Sequence, residues 1–226
     1  MHRLPLKLFA AATVVELVAV AAEWTAVQWL AKPLLAPLLA VYLVRRARPD
    51  LVVGALGFAT AGDVALLLPG EVPFLVGMLC FLGTQTCLIV AFARRARPPA
   101  GAFLAYALLW AVANGLLWER LGDLRVPVLV YSLALSAMAG AAVGVSRRVA
   151  AGGAFFLVSD FLIGLGAADV DLPGQAVLIM ATYTAALALI VTGWAGRSGA
   201  GSAPEPAGRA QTASGGGPAV LPEDGS

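Results

Sequence analysis

Residues 74–97 read FLVGMLCFLGTQTCLIVAFARRAR, which is a run of 20 residues without a charged side chain followed by Arg94, Arg95 and Arg97. An α-helix needs about 20 mostly apolar residues to cross the hydrocarbon core of a bilayer. Arginines at the end of such a run are typical of the cytoplasmic side of a membrane. This stretch therefore predicts a transmembrane helix whose C-terminal end lies in the cytoplasm.

The composition of the whole chain agrees with this stretch. Of the 226 residues, 60% are hydrophobic and only 12% are charged, and the mean hydropathy is +0.87. A soluble domain usually has about 25% charged residues. The formal net charge of +2 is too balanced to suggest a nucleic-acid partner. We therefore expect an all-α, polytopic integral membrane protein.

The same search along the chain gives eight candidate spans, separated by segments that contain proline and glycine. Their approximate bounds are 6–23, 31–45, 51–68, 74–92, 101–118, 126–146, 150–168 and 173–194. The second is short, and it either extends back through Trp29 and Leu30 or lies partly at the interface. We expect an eight-helix transmembrane domain over 1–195. Residues 196–226 are rich in Gly, Ser, Pro and Ala and predict a disordered cytoplasmic tail.

The basic residues predict an orientation for these spans. If eight helices alternate, 12 of the 15 cations fall on one side, and only Lys32, Arg120 and Arg125 fall on the other. Lysine and arginine are enriched in cytoplasmic loops. Both termini are therefore predicted to be cytoplasmic, in a cell membrane of bacterial type.

Histidine and cysteine limit the chemistry that the chain can carry. The sequence has one histidine, His2, and two cysteines, Cys80 and Cys87, whose spacing suits neither a disulfide nor a zinc site. These counts argue against a Ser-His-Asp triad, a Cys-His pair and a His-ligated metal. We expect no metal or organic cofactor, so catalysis would depend on carboxylates, lysine, tyrosine or hydroxyls.

Three acidic residues, Glu16, Asp63 and Asp160, lie inside predicted spans. An ionisable side chain inside the bilayer is costly, so it is by default a candidate functional residue. The alternative is a carboxyl that only links neighbouring helices. The functional interpretation is favoured for Asp63 and Asp160, and the structural one for Glu16.

Asp63 and Asp160 lie in similar stretches, FATAGDVALLL over 58–68 and FFLVSDFLIGL over 155–165. In both, an aromatic residue stands five positions before the aspartate and a small residue stands immediately before it. The two spans are four helices apart and run in the same direction. This suggests two pseudo-repeated four-helix halves related by an axis along the membrane normal, as some transporters show. Such halves would bring the two carboxyls together near their interface.

Two neighbouring carboxyls in a dry site favour different protonation states, so that one serves as an acid while the other stays ionised. This arrangement suits hydrolysis through an oxocarbenium-like transition state. The same pair would also serve the transport of protons or cations, and the pair alone does not decide between these functions. Four further polar residues are candidates for the site: Lys32 at the start of the second span, and Gln85, Tyr131 and Tyr183 inside later spans.

Four short sequence elements carry a resemblance to a known family. These are KPLLAPLLAVYL over 32–43, the Gly62-Asp63 span, Val130-Tyr131-Ser132 and the Ser159-Asp160 span. In this order and spacing the chain resembles the YhhN family of eight-helix membrane proteins over about residues 5–194. Characterised members of that family are lysoplasmalogenases. The resemblance implies hydrolysis of the vinyl ether bond of a lysoplasmalogen to a fatty aldehyde and a glycerophospho-ethanolamine or -choline.

The resemblance also implies roles for individual residues. The catalytic acids fall on Asp63 and Asp160, the family's lysine on Lys32, and its tyrosines on Tyr131 and Tyr183. Members often have a histidine in span four, where this chain has Gln85. They also often carry Tyr-Tyr-x-Ala-Gln in span eight, where residues 182–186 read TYTAA. These departures bear on head-group recognition or on rate.

The mechanism that we expect divides the work between the two acids. One aspartic acid delivers a proton to the vinyl carbon, and the other, ionised, stabilises the oxocarbenium and orients water. Lys32 would hold the phosphate, and Tyr131 and Tyr183 would orient water or the glycerol hydroxyl. The expected partners are a lysophospholipid substrate and membrane lipid.

Two other functions compete with this one. A small multi-pass transporter or proton-coupled permease would use the same intramembrane aspartates, and uptake into proteoliposomes without aldehyde release would favour it. A non-catalytic scaffold that acts through its tail is the third interpretation.

Overall fold

The computed structural model describes residues 3–46 and 49–200, without the side chains of 197–200. Over these residues the chain forms eight α-helices and one short 3₁₀ helix, Gly122–Leu124, and contains no strand. The α-helices are α1 Leu4–Ala21, α2 Thr25–Val44, α3 Leu51–Ala65, α4 Glu71–Arg95, α5 Ala100–Leu117, α6 Arg125–Val145, α7 Arg147–Ala167 and α8 Gln175–Ala200. The predicted all-α fold is confirmed.

Seven of the helices in the described part of the chain are long and apolar enough to cross a membrane. The exception is α3, which has 15 residues and ends three positions before the predicted span does. Asp63 therefore lies in the last turn of α3 rather than in the middle of a longer helix. With the composition of the chain, these helices define an integral membrane protein.

The second span differs from the prediction at its start. Helix α2 begins at Thr25, and Pro33 and Pro37 lie inside it. Lys32, which we expected at the start of the span, is the eighth residue of this helix and lies about 10 Å along the axis from Thr25. The extension back through Trp29 and Leu30 is correct, and the position of Lys32 at the helix start is wrong. Proline does not mark a boundary here, because membrane helices tolerate it where neighbouring groups satisfy the freed carbonyl.

The helices pack as a ring with two outer members. Helix α4 packs against α3 and α6, and α8 packs against α7, α1 and α2. Together with the α2–α3 and α6–α7 contacts, these pairs close a ring of α2, α3, α4, α6, α7 and α8. Helix α1 lies outside against α2 and α8, and α5 lies outside against α6. The interior of this ring is where the polar residues meet.

The packing has the pattern that two related halves would produce. The second helix of each half packs against the fourth helix of the other, as α2 does with α8 and α6 with α4. The first helix of each half, α1 or α5, packs against the second. The repeat itself stays a prediction that superposition of α1–α4 on α5–α8 would test.

Glycine allows α7 and α8 to approach each other closely. A Cβ atom on Gly152 would lie 2.7 Å from Ile190 Cγ1 and 3.0 Å from the carbonyl oxygen of Ala186. Helix association in membranes depends on such close packing of small residues, because lipid gives little hydrophobic driving force between helices. This contact fixes α7, which carries Asp160, against α8, which carries Tyr183.

Asp50 caps the short helix α3 and ties it to α8. Its Oδ1 accepts a hydrogen bond from the Val52 amide at 3.0 Å, and its Oδ2 accepts one from Trp194 Nε1 at 2.6 Å. The indole of Trp194 also packs against the ring of Phe92, with 5.8 Å between centroids. The end of α3 opposite Asp63 is therefore anchored by one side chain.

Some of the predictions made from the sequence concern residues that the structure does not describe. Helix α8 continues to Ala200, and the rest of the predicted tail, together with His2 and Arg48, lies outside the described residues. The predicted orientation in the membrane stays a prediction.

The substitution Asp50→Ala should lower the melting temperature by about 3–6 °C. It removes a helix cap worth about 1 kcal/mol and the hydrogen bond to Trp194. Asp50→Asn keeps an oxygen acceptor and should lose less than half as much. Thermal unfolding of the purified protein in detergent measures both shifts. Equal melting temperatures for wild type and Asp50→Ala would show that this anchor does not stabilise the fold.

Candidate active site

Each of the six ring helices contributes one of the residues predicted for the site. They are Lys32 on α2, Asp63 on α3, Gln85 on α4, Tyr131 on α6, Asp160 on α7 and Tyr183 on α8. Asp63, Gln85 and Tyr183 are buried, and the other three are half-buried. The interior of an otherwise apolar ring therefore carries a set of polar side chains drawn from the whole chain.

Asp63 is 1% exposed and accepts a hydrogen bond from the hydroxyl of Tyr183, with 2.7 Å between Oη and Oδ2. The two residues are 120 positions apart and join α3 to α8. Lys32 on α2 is the cation that acts electrostatically on this carboxylate. Asp63 thus has one hydroxyl donor and one positive charge in its surroundings.

Asp160 accepts a hydrogen bond from the hydroxyl of Tyr131, also through Oδ2. It lies within electrostatic range of Asp63. Asp160 forms no ion pair among the described residues, and its side chain lines a cavity. The two aspartates are therefore brought into one site, but their surroundings differ.

Three aromatic rings pack edge to face beside the two carboxyls. Phe81 of α4, Phe156 of α7 and Tyr183 of α8 have ring centroids 5.7–6.2 Å apart. Such edge-to-face contacts have a preferred geometry and so restrict ring orientation. The Tyr183 ring therefore contacts both other rings, which restricts the direction of its hydroxyl towards Asp63.

Gly62 and Ser159, the small residues immediately before the two aspartates, make different contacts. A Cβ atom on Gly62 would lie 2.7 Å from the Phe81 ring, so glycine leaves room for that ring beside Asp63. Ser159 instead donates a hydrogen bond from Oγ to the Ile179 carbonyl at 3.1 Å and links α7 to α8. The small residue before each aspartate therefore has a different structural role in α3 and in α7.

Gln85 is fully buried on α4 and lies close to the Tyr131 hydroxyl. Neither its amide nitrogen nor its amide oxygen has a hydrogen-bond partner among the described residues. Buried polar side chains nearly always have such a partner. A donor and an acceptor are thus available next to the Tyr131–Asp160 pair for a polar ligand or water.

A cavity of about 350 Å³ lies between α4, α5, α6 and α7. Its wall is mainly aliphatic and aromatic. Its polar groups include Trp110 and Asn114, whose nitrogens both donate to Ser132 Oγ at 3.1 Å and so are already satisfied. Asp160 and Tyr131 reach the same wall. The cavity therefore offers an apolar space with the Asp160 carboxyl at its edge.

A second cleft adjoins this cavity, because Phe74 and Ile163 line both. It lies at the end of the bundle where α3 connects to α4 and α7 to α8. Its polar lining includes Glu71, Asp123 and Gln175. Lys32 and Asp63 are not among the residues that line either space. The cleft has a larger polar share in its lining than the cavity that it adjoins.

Sequence reasoning did not find the cavity wall that α5 supplies. The hydrogen bonds of Asn114 and Trp110 to Ser132 join α5 to α6. The feature of the sequence that indicates this wall is the pair Trp110 and Asn114, one helical turn apart in an apolar span. Polar residues at that spacing lie on one face of a helix.

This ring of apolar helices defines a polytopic membrane protein whose interior carries two carboxyl–tyrosine pairs. The model of the YhhN family matches residues 27–194, and the chain belongs to that family. The predicted membership is confirmed.

Two named relatives are similar to this chain. Proteins called lysoplasmalogenase from Mycobacterium bovis and Mycobacterium tuberculosis are each 35% identical to it over 160 residues. Each match covers 63% of this chain and 59% of the relative, so it spans less than two thirds of those proteins. No solved structure matches the chain.

The substitution Gly62→Ala should disturb the site through Phe81. The added methyl group would contact the ring at 2.7 Å, and the ring in turn packs on Tyr183. We expect a fall of about 3–6 °C in melting temperature, in line with an overpacking cost of about 1–3 kcal/mol. Gly57→Ala on the same helix is the control, because a Cβ there meets no atom within 4 Å. Equal behaviour of the two variants would contradict this account of Gly62.

Proposed function

We propose that this protein is a lysoplasmalogenase-like ether hydrolase of the membrane. It cleaves the vinyl ether bond of lysoplasmalogens and releases a fatty aldehyde and a glycerophospho-ethanolamine or -choline. The observation that carries the proposal is the pair of carboxyl–tyrosine contacts inside the ring, one of which lines an apolar cavity. The names of the two mycobacterial relatives support the choice of substrate class.

The two adjoining spaces suit the two ends of such a lipid. The alkenyl chain is apolar and would occupy the cavity between α4, α5, α6 and α7. The head group is polar and would lie in the cleft beside Glu71, Asp123 and Gln175. The vinyl ether bond joins these ends and would then lie next to Asp160.

We assign different roles to the two aspartates because their surroundings differ. Asp160 lines the cavity, accepts a hydrogen bond from Tyr131 and forms no ion pair among the described residues. It is the better candidate for the neutral acid that meets the substrate. Asp63 has Lys32 in electrostatic range and is the better candidate for the ionised partner.

The first half of the reaction forms the oxocarbenium and hydrates it. The Asp160 carboxyl gives its proton to the vinyl carbon that is not bonded to oxygen, and the π electrons form the new C–H bond. Asp160 is then ionised, and an oxocarbenium lies beside it. A water molecule adds to the cationic carbon and gives up one proton to the Asp63 carboxylate. General acid–base transfer of this kind contributes about 10²–10⁴-fold to rate.

The second half breaks the carbon–oxygen bond of the resulting hemiacetal. The glycerol oxygen leaves with its bonding electrons and takes the proton held by Asp63. The hemiacetal hydroxyl gives its proton to Asp160 as the aldehyde carbonyl forms. One water is consumed, and both aspartates return to their starting protonation states.

The remaining polar residues support these steps. Tyr131 and Tyr183 hold the carboxyl oxygens through their hydroxyls, and Gln85 offers a donor and an acceptor for water or a glycerol hydroxyl. Lys32 lines neither space, so its position favours balancing the charge of Asp63 over the phosphate binding that we expected from the sequence.

Asp63→Asn and Asp160→Asn should each lower aldehyde release from a lysoplasmalogen at least about 100-fold, because each removes one proton-transfer group. Purified protein in detergent or nanodiscs and a coupled aldehyde assay measure the rate. Asp171→Asn, an exposed acid in a loop, is the control and should keep wild-type activity. Full activity in both site variants would refute the assigned roles. Substrate uptake by proteoliposomes without aldehyde release would instead favour a transporter.

A bulkier residue in the cavity should change the preference for chain length. Ala113 lines the cavity from α5, so Ala113→Trp would fill space that the distal part of the alkenyl chain needs. We expect kcat/KM to fall about 10-fold or more for a long-chain substrate and less than 2-fold for a short-chain one, since even one methylene group in an apolar pocket is worth about 10-fold. Equal losses for both chains would contradict chain binding in this cavity.

A further inference from the structure

Part of the wall of the cavity beside Asp160 also belongs to the outer surface of the bundle. Most of the lining residues are buried or half-buried, and the exposed ones among the described residues come from α5 and α7. These exposed lining residues are Leu109, Val112 and Leu116 on α5 and Val158 and Phe161 on α7, and their exposed fractions are 39–74%. The cavity is therefore open on one side, between α5 and α7, and we call these five residues the lateral opening.

The packing of α5 explains why the cavity is open there. Helices α5 and α7 each pack against α6, and in the described part of the chain they have no comparable contact with each other. Trp110 and Asn114 hold α5 to α6 through their hydrogen bonds to Ser132. A Cβ atom on Gly140 of α6 would lie 2.8 Å from the Phe103 ring of α5, so these two helices also approach closely. Helix α6 thus supports both neighbours and leaves a space between them.

The lateral opening faces the hydrocarbon of the membrane. Helices α5 and α7 are both long and apolar enough to cross a bilayer, and all five residues of the opening are aliphatic or aromatic. Leu109 lies in the middle of α5 and Leu116 near its end, so the opening extends about 10 Å along this helix. An opening of this composition at this depth suits a hydrocarbon chain and not an ion or a polar solute.

We propose that the lateral opening is the entrance through which a single-chain lysolipid moves sideways from the bilayer into the cavity. Only the statement that this lipid is then hydrolysed rests on the proposed function. Val158 and Phe161 lie two positions before and one position after Asp160 on α7, so a chain that enters here passes beside that carboxyl. The cavity of about 350 Å³ is at the lower end of the usual size of ligand sites, about 300–1,000 Å³, and suits one chain rather than two.

The cleft at the end of the bundle is a less favourable entrance for such a lipid. Its lining includes the exposed acids Glu71 and Asp123. A chain drawn past them would leave the hydrocarbon and expose its methylene groups to water, which is unfavourable. Entry between α5 and α7 keeps the chain in an apolar environment throughout, while the head group stays at the end of the bundle where the cleft lies. The fatty aldehyde is uncharged and can return to the bilayer by the same route.

The first test locates the lipid without reference to activity. The probe is an ester-linked lysophosphatidylcholine that has a photoreactive diazirine in the middle of its chain and no vinyl ether bond. Wild-type protein in phosphatidylcholine nanodiscs is irradiated with this probe, and mass spectrometry maps the labelled residues. We expect labelling at the lateral opening, which an excess of about 10-fold of unmodified lysophosphatidylcholine should lower about 5-fold or more by mass action. An equal amount of added diacyl phosphatidylcholine should lower it less than about 2-fold.

The outer face of α1 is the internal control for this labelling. Val14, Val15 and Val18 are exposed on a spanning helix and line neither the cavity nor the cleft. Lipid that merely surrounds the protein labels them, and the two competitors should lower that labelling equally. Equal competition by both lipids at the lateral opening as well would overturn the proposal.

The second test narrows the entrance and measures hydrolysis. Leu116→Trp places a bulky ring in the lateral opening and should lower kcat/KM for aldehyde release about 10-fold, because the chain has less room to pass. Leu104→Trp is the matched control, since Leu104 lies on the same helix, is also 74% exposed and lines neither space. It should change kcat/KM less than about 2-fold. Equal values for the two variants would contradict entry at this place.

A second pair of variants covers the case in which Leu116→Trp folds poorly. If its melting temperature falls by more than about 5 °C, Val112→Trp and Leu108→Trp replace the first pair. Val112 belongs to the lateral opening, whereas Leu108 is exposed on α5 outside it. The same difference in kcat/KM is expected, and its absence overturns the proposal.

The outcomes separate this inference from the proposed function. An inactive wild type would refute the proposed function, while the labelling pattern still decides whether a lysolipid occupies the lateral opening. An active wild type whose labelling shows no preference for lysolipid at the opening would overturn the entrance alone.

Discussion

The hydrogen bond from the Tyr183 hydroxyl to the Asp63 carboxylate is the contact on which the interior of this protein depends. Helix α3 is the shortest in the bundle, and it carries an acid in its last turn. An ionisable group at such a position is costly in a membrane unless the bundle interior receives it. Helix α8 supplies the hydroxyl, and α3 packs against α2 and α4. Phe81 and Phe156 then hold the Tyr183 ring in place.

The sequence predicts the polar residues of the candidate site but not its apolar wall. Asp63 and Asp160 could be predicted because a carboxyl inside an apolar span has few explanations besides function. The predicted position of Lys32 at the start of the span is wrong because the helix continues through Pro33. The cavity could not be predicted, since its aliphatic wall resembles every other apolar stretch. The packing of α5 and α6 decides which aliphatic side chains face the cavity.

Asp63 and Asp160 lie in unequal surroundings. Lys32 acts electrostatically on Asp63, whereas Asp160 lines an apolar cavity. In the proposed reaction this difference lets two chemically identical side chains take different parts in proton transfer.

The order of these residues along the chain has a consequence for synthesis. Tyr183 follows Asp63 by 120 residues, and a ribosome that adds about 5–20 residues per second needs roughly 6–24 s to make that stretch. Helix α3 therefore enters the membrane long before its hydroxyl donor exists. Lys32 and Glu16 both precede Asp63 and are already present on α1 and α2. The charged residues of α1 and α2 thus accompany the acid during insertion, and α8 can complete the site only after it has itself been synthesised.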